Sequence, residues 1–175
     1  MATTRMASAH WEGSLMQGAG EVTFDSSGLG THPVTWPSRA EEPNGRTSPE
    51  ELIAAAHATC YSMALSHGLA GAGTPATSID TSAEVTFVPG TGITQIALAV
   101  VGRVPGLDAE GFQTAAEAAK TGCPVSKALA AVPISLAVTA DLSTLEVVEG
   151  IGGAMPLTSD NIADIEKNAR KALAA

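Results

Sequence analysis

The side chains best suited to chemistry in this chain are its two cysteines, Cys60 and Cys123. Cys60 closes the stretch SPEELIAAAHATC, residues 48–60, ten positions after Glu50. A buried cysteine ordinarily behaves as a small hydrophobe, so any reactivity must come from its surroundings. Cys123 follows Gly122, a natural helix stop, and precedes Pro124, which suits the first turn of a new helix. That sequence sets Cys123 at or beside an N-cap, where unpaired backbone N–H groups and the positive dipole end favour a thiolate. From spacing alone, the two cysteines are either unrelated buried thiols or a redox pair. His57 lies three residues before Cys60 and shares its helix face. A Cys–His pair or half of a metal site is one reading of that spacing. Side chains so spaced point outward together, however, and the chain has four histidines with no CxxC or HxxxH. His57 is therefore read as a packed or hydrogen-bonded histidine, and no metal site is expected.

These residues need elements to hold them. Ser48 is a strong N-cap, Pro49 fits the first helical position and Glu51 completes an S-x-x-E capping box, so a helix is expected over 48–68, ending near Gly68. Residues 8–25 alternate weakly and are broken by Gly13 and Gly18, which reads as a β-hairpin. Residues 26–47, rich in Gly, Pro, Ser and charge, read as a long loop carrying Arg39 and Arg46. Two β-branched runs within 77–103 flank VPGTG and form a second hairpin. Asp108 caps a helix that stops at Gly122, VSKALA starts a short helix, and 133–142 closes the pattern as a strand. Residues 143–158 hold a Gly/Pro-rich linker, and Ser159 caps a last helix with Ile162, Ile165, Ala169 and Leu173 on one face. The expected fold is α+β, with antiparallel sheet packed on helices.

With 175 residues, 45% of them hydrophobic and 15% charged, the chain can bury a sound core and has the composition of a globular protein. A net charge of −9 disfavours nucleic acid and anionic membranes as partners. The opening residues MATTRMASAHWEG hold no apolar core of signal-peptide type, and no apolar run approaches the roughly 20 residues of a membrane span. The expectation is a cytoplasmic protein without membrane or nucleic-acid partners. No phosphate-binding loop and no GxSxG elbow is present in the sequence.

Five blocks together carry a family likeness: AHWEG at 9–13, the R-x₁₀-E frame from Arg39 to Glu50, SPEELIAAAHATCYSMALS at 48–66, TSIDTSAEV at 77–85 and GCPVSKAL at 122–129. In order and over roughly residues 8–140, they resemble the OsmC/Ohr family of thiol peroxidases, and the OsmC branch more than the Ohr branch. The resemblance implies an organic hydroperoxide reductase without cofactor, built as a homodimer with interlocked sheets around long central helices. It also implies that Cys60 is the peroxidatic cysteine, Cys123 the resolving one, and Arg39 and Glu50 the pair that orients and activates the thiolate. A lipoyl-type dithiol is the implied reductant. The family-like domain would span 1–142, leaving 143–175 as an extension without an inherited role.

A guanidinium beside Cys60 would stabilise the thiolate that attacks a peroxide. Ten helical residues span about 15 Å, however, so Glu50 cannot reach Cys60 along one straight helix. Either the helix is interrupted or Arg39 and Glu50 come from the partner subunit, which antiparallel helices in a two-fold dimer would allow. Two other classes fit the same residues. One is a redox-sensing switch using a Cys60–Cys123 disulfide; the other is a non-catalytic protein that binds small molecules in an apolar groove.

Overall fold

A computed structural model describes residues 1–141. The elements run β1 (Ser8–Glu12), β2 (Ala19–Thr23), β3 (Thr31–Val34), α1 (Trp36–Ala40), α2 (Pro49–Gly71), β4 (Ser78–Val88), β5 (Gly92–Arg103), α3 (Ala109–Gly122), α4 (Pro124–Ala128) and β6 (Ile134–Ala140). The fold is α+β, as expected, and the chain divides into two compact units. The proposed extension at 143–175 lies outside the described residues.

The first unit comprises residues 1–55 and 85–95. Its sheet is antiparallel in the order β1-β2-β3, with Trp11 opposite Gly20. A Cβ at Gly20 would stand 2.7 Å from the Trp11 indole, so only glycine lets that ring lie across the strand. The stretch 26–47 is not the long loop expected from its composition. Thr31–Val34 pairs with β2, and Thr35 caps α1 through a reciprocal box with Ser38, with Pro37 in the first turn. Those local signals outweigh the surrounding Gly and Pro. At the start of α2, the Glu51 amide donates to Ser48 Oγ at 3.2 Å, which fixes the helix start where the capping box puts it.

Among the described residues, the second unit comprises 56–84 and 96–141. Here α2 buries His57, Tyr61, Leu65 and Leu69 at four-residue spacing, one stripe of the helix. Leu98 and Val100 of β5 and Phe112, Ala116 and Ala119 of α3 complete the core. A Cβ at Gly102 would overlap the Phe112 ring, so this glycine sets how closely α3 can lie on β5. The sheet order is β4-β5-β6, and β5 pairs with β6 in parallel, Ile96 opposite Ile134 through Gly102 opposite Ala140. This pair departs from the antiparallel expectation because β6 is reached by the crossover through α3 and α4. The helix α2 runs to Gly71, past the expected stop at Gly68, and ends in a turn where Gly73 has φ of 83° and Thr74 N donates to Leu69 O.

Candidate active site

Cys60 and Cys123 meet in the second unit. Cys60 is on α2 and partly buried; Cys123 is fully buried at the N-cap of α4. Their side chains are near enough for each to act on the other's proton affinity. Cys123 owes its place to local chain chemistry: its amide closes α3 by donating to Ala119 O at 2.8 Å, and its carbonyl accepts from Lys127 N to open α4. The same residue thus ends one helix and begins the next.

The two thiols are pushed in opposite directions. Burial raises the Cys60 pKa and outweighs the Val125 amide, which acts the other way, while Cys123 adds to the rise. Burial also acts to raise Cys123, but donors overcome it: the Ser126 amide, the Cys60 thiol, the Ser126 hydroxyl and the Val125 amide. The net direction for Cys123 is down. These amides act on the sulfur through their dipoles, since none closes a capping hydrogen bond to the Cys123 side chain. Within this unit, then, Cys123 is the sulfur better placed to carry negative charge.

Behind Cys123 lies a second buried polar contact. His57 Nε2 stands 2.8 Å from Ser126 Oγ, and both residues are buried. Burial keeps the His57 pKa below the ordinary histidine value, so the ring is neutral. Tyr61, next to Cys60, donates its hydroxyl to Ala116 O at 3.1 Å, and burial raises its pKa above the usual phenol range. An apolar cavity of about 610 Å³ runs along α2 and α3, lined by Ala64, Leu69, Leu107 and Ala115 and reaching Gly122 and Pro124 on either side of Cys123.

Arg39 and Glu50 meet in the first unit. Arg39 Nη2 is 2.7 Å from Glu50 Oε1, and Nε is 3.1 and 3.2 Å from Oε1 and Oε2. The carboxylate is buried and the guanidinium about one-third exposed. The flat face of Arg39 lies 4.1 Å from the Phe87 ring centroid, and Trp36 stands edge-on to Phe87. Phe87 thus fixes the guanidinium plane by stacking while Glu50 fixes its edge.

All four residues singled out in the sequence are therefore in organised surroundings, as two pairs: Cys60 with Cys123, and Arg39 with Glu50. His57 is hydrogen-bonded, as read, and its partner is Ser126 rather than Cys60. Sequence reading missed Ser126, though its place three residues after an N-cap cysteine was a usable signal. It also missed Phe87, for which no local signal exists, because the contact crosses 48 positions of chain. Among the described residues, no group of three or more His, Cys, Asp or Glu could hold a metal ion. No helix among them is long and apolar enough to cross a membrane.

Comparison with known proteins points one way. A family model described as "OsmC-like protein" matches residues 42–137. The peroxiredoxin OsmC of Escherichia coli K12 is 46% identical over 134 residues, 75% of this chain and 93% of that protein. The organic hydroperoxide resistance protein OsmC of Legionella pneumophila superposes with a TM-score of 0.60 at 25% identity, covering 79% of this chain and 98% of that one. OhrB of Bacillus subtilis, an organic hydroperoxide resistance protein, gives 0.56 at 26% identity over 77% and 98% of the two chains.

Proposed function

The chain belongs to the OsmC-like protein family and is a peroxidase; we propose that it reduces organic hydroperoxides to alcohols with Cys60 as the attacking sulfur and Cys123 as the resolving one. The observation that carries this reading is the nearness of the Cys60 and Cys123 side chains within one unit, with both cysteines free. In the first step the Cys60 thiolate attacks the terminal oxygen of ROOH. The S–O bond forms as the O–O bond breaks, sulfur gives up two electrons, and the alkoxide takes a proton to leave as alcohol. The Cys123 thiolate then attacks the Cys60 sulfenic acid. The S–S bond forms, the S–O bond breaks, and hydroxide takes a proton to leave as water. An external dithiol of lipoyl type returns both cysteines to thiols and is itself oxidised to a disulfide.

The thiol order within one unit fits the second step directly, because Cys123 is the sulfur that its donors favour as a thiolate. The first step asks for a cation at Cys60, which burial holds in its thiol form. Arg39, stacked and gripped, is the guanidinium this reading assigns to that task. The helix α2 runs uninterrupted over Pro49–Gly71, which supports donation of Arg39 and Glu50 by a second chain. A homodimer is further supported by β1, exposed along its whole length, and by the exposed apolar side chains of Leu15, Met16, Leu29 and Met63. The apolar cavity beside α2 and α3 suits the alkyl portion of an organic peroxide better than hydrogen peroxide. In this reading the peroxidase domain spans residues 1–142 of a cytoplasmic protein, with 143–175 as an extension.

The test is steady-state loss of an alkyl or aryl hydroperoxide with dihydrolipoamide, and hydrogen peroxide as the contrasting substrate. Many turnovers with preference for the organic peroxide support the reading. Consumption of one equivalent per chain or less removes catalysis from it and leaves a thiol switch or a binding protein.

A further inference from the structure

We propose that Ser126, held by His57, is a positioning residue for Cys123: its hydroxyl donates to the Cys123 sulfur in the thiolate form, and His57 keeps it pointed there. The inference rests on the proposed function for one point only, that Cys123 must present a thiolate to resolve the sulfenic acid.

The geometry starts from one hydroxyl hydrogen and two neighbours. Ser126 Oγ lies 2.8 Å from His57 Nε2, and Ser126 stands at the third position of α4, the place in the first turn that faces the side chain of the N-cap residue, here Cys123. If Nε2 carries the ring proton, it donates to Oγ, and the hydroxyl hydrogen is free to donate to sulfur. If Nδ1 carries it, the hydroxyl is spent on Nε2, and a buried N–H is left with no acceptor. Among the described residues His57 Nδ1 is the buried side-chain polar atom without a hydrogen-bond partner. An orphaned lone pair is tolerated better inside a protein than an orphaned N–H, so the Nε2–H form is the stable one. Burial disfavours a second proton on the ring, so His57 neither supplies nor removes a full charge. It sets the direction of a dipole.

This explains an otherwise costly arrangement. His57 is wholly buried on α2, and Ser126 stands on α4, so the contact ties together the two helices that carry Cys60 and Cys123. The ionisable groups that act on Cys123 from α2 are Cys60 and Tyr61; Glu117 of α3 acts on Tyr61 and pairs with Lys120 at 3.1 Å, and Lys120 of α3 and Lys127 of α4 line a surface pocket with Ser126. The Ser126 and Val125 amides and the Ser126 hydroxyl favour a Cys123 thiolate within the unit.

The experiment is an NMR titration of ¹³Cβ-labelled cysteine in the full chain carrying Cys60→Ser, where Cys123 is the remaining label. Four chains are compared in that background: no further change, Ser126→Ala, His57→Leu and His57→Gln. Ser126→Ala should raise the Cys123 midpoint by about one pH unit, a tenfold change in proton affinity. His57→Leu should raise it less, and His57→Gln, whose amide can still donate to Oγ, should stay near the starting value. Should Ser126→Ala not fold, the contrast between the two His57 variants decides. An unmoved midpoint in folded Ser126→Ala, or His57→Gln and His57→Leu shifted alike, overturns the proposal. The titration needs no turnover, so loss of peroxidase activity in the unmodified protein would undo the proposed function without being confused with this result.

Discussion

Arg39 holds Glu50 at two edges of its guanidinium, with Nη2 2.7 Å from Oε1 and Nε 3.2 Å from Oε2, while its face lies on Phe87. Lysine would keep the charge but lose both the fork and the stacked plane. Charge-assisted hydrogen bonds of this kind contribute about 1.5–3 kcal/mol. Arg39→Lys is therefore expected to fold normally and to lose at least about tenfold in kcat/KM for an organic hydroperoxide, at roughly 1.4 kcal/mol per decade. Steady-state kinetics on the folded variant checks this. A kcat/KM within twofold of wild type would remove the pair from the catalytic account.

The two cysteines should fail differently when each is replaced by serine. Cys60→Ser has no attacking sulfur and should show no peroxide consumption above background. Cys123→Ser should react once per chain and stop, because the Cys60 sulfenic acid has no resolving thiolate beside it. A dimedone adduct on Cys60, read by mass spectrometry after one equivalent of peroxide, distinguishes the two. An adduct on Cys123 in the Cys60→Ser protein instead would reverse the assigned roles, which is a real contest because Cys123 is the sulfur favoured as thiolate within its own unit.

His57 gives stability a pH dependence with a definite sign. Burial lowers its folded-state pKa, whereas in the unfolded chain it titrates near the ordinary value of about 6.5. Below about pH 6.5 the unfolded state binds the extra proton, so stability rises with pH through this window and is lost as pH falls. Glutamine takes up no proton. Urea melts at about pH 5 and pH 7.5 should therefore differ less in His57→Gln than in wild type, and an equal difference would show that His57 takes up its proton alike in the folded and unfolded states.

What could be read from the sequence was mostly local. Ser48 and Glu51 announced the start of α2, and the Glu51 amide does donate to Ser48 Oγ. Gly122-Cys123-Pro124 announced a helix stop and restart, which the shared carbonyl and amide of Cys123 realise. The helix end at Gly71 was misjudged because Gly68 is tolerated inside α2, at a cost of about 1 kcal/mol that tertiary packing overrides. β3 and α1 were hidden in 26–47 because four- and five-residue elements carry no visible period, even though Thr35 and Ser38 form a capping box. The nearness of Cys60 to Cys123 and of His57 to Ser126 could not be read from spacing, because each joins residues more than 60 positions apart. For the cysteines a family likeness supplied what periodicity could not; for Ser126 the one local signal was its place three residues after an N-cap cysteine.

Gly102 tests how tightly the core beneath the cysteines is specified. A Cβ there would run into the ring of Phe112, which is fully buried against β5. Close-packed cores answer an added carbon with strained rotamers or backbone shifts worth about 1–3 kcal/mol. Gly102→Ala should lower the urea midpoint accordingly. Adding Phe112→Leu should cost less in the Gly102→Ala chain than in wild type, because the smaller side chain relieves the overlap. Additive losses would place the strain elsewhere.

The remaining prediction concerns which chain completes the site around Cys60. Mixed dimers are prepared from one chain carrying Cys60→Ser and another carrying Arg39→Ala. If Arg39 acts on the partner's sulfur, the intact Cys60 of the second chain meets the intact Arg39 of the first, and one of the two sites is whole. The mixture should then recover up to half of wild-type activity although neither parent is active. If Arg39 acts within its own chain, every site in the mixed dimer carries one defect, and activity stays at the level of the parents. Separately tagged chains, refolded together and purified through both tags, isolate the mixed species. Recovery is the expected result, because α2 is unbroken between Glu50 and Cys60 and ten residues of helix advance about 15 Å, too far for a carboxylate-held guanidinium to cover along its own helix.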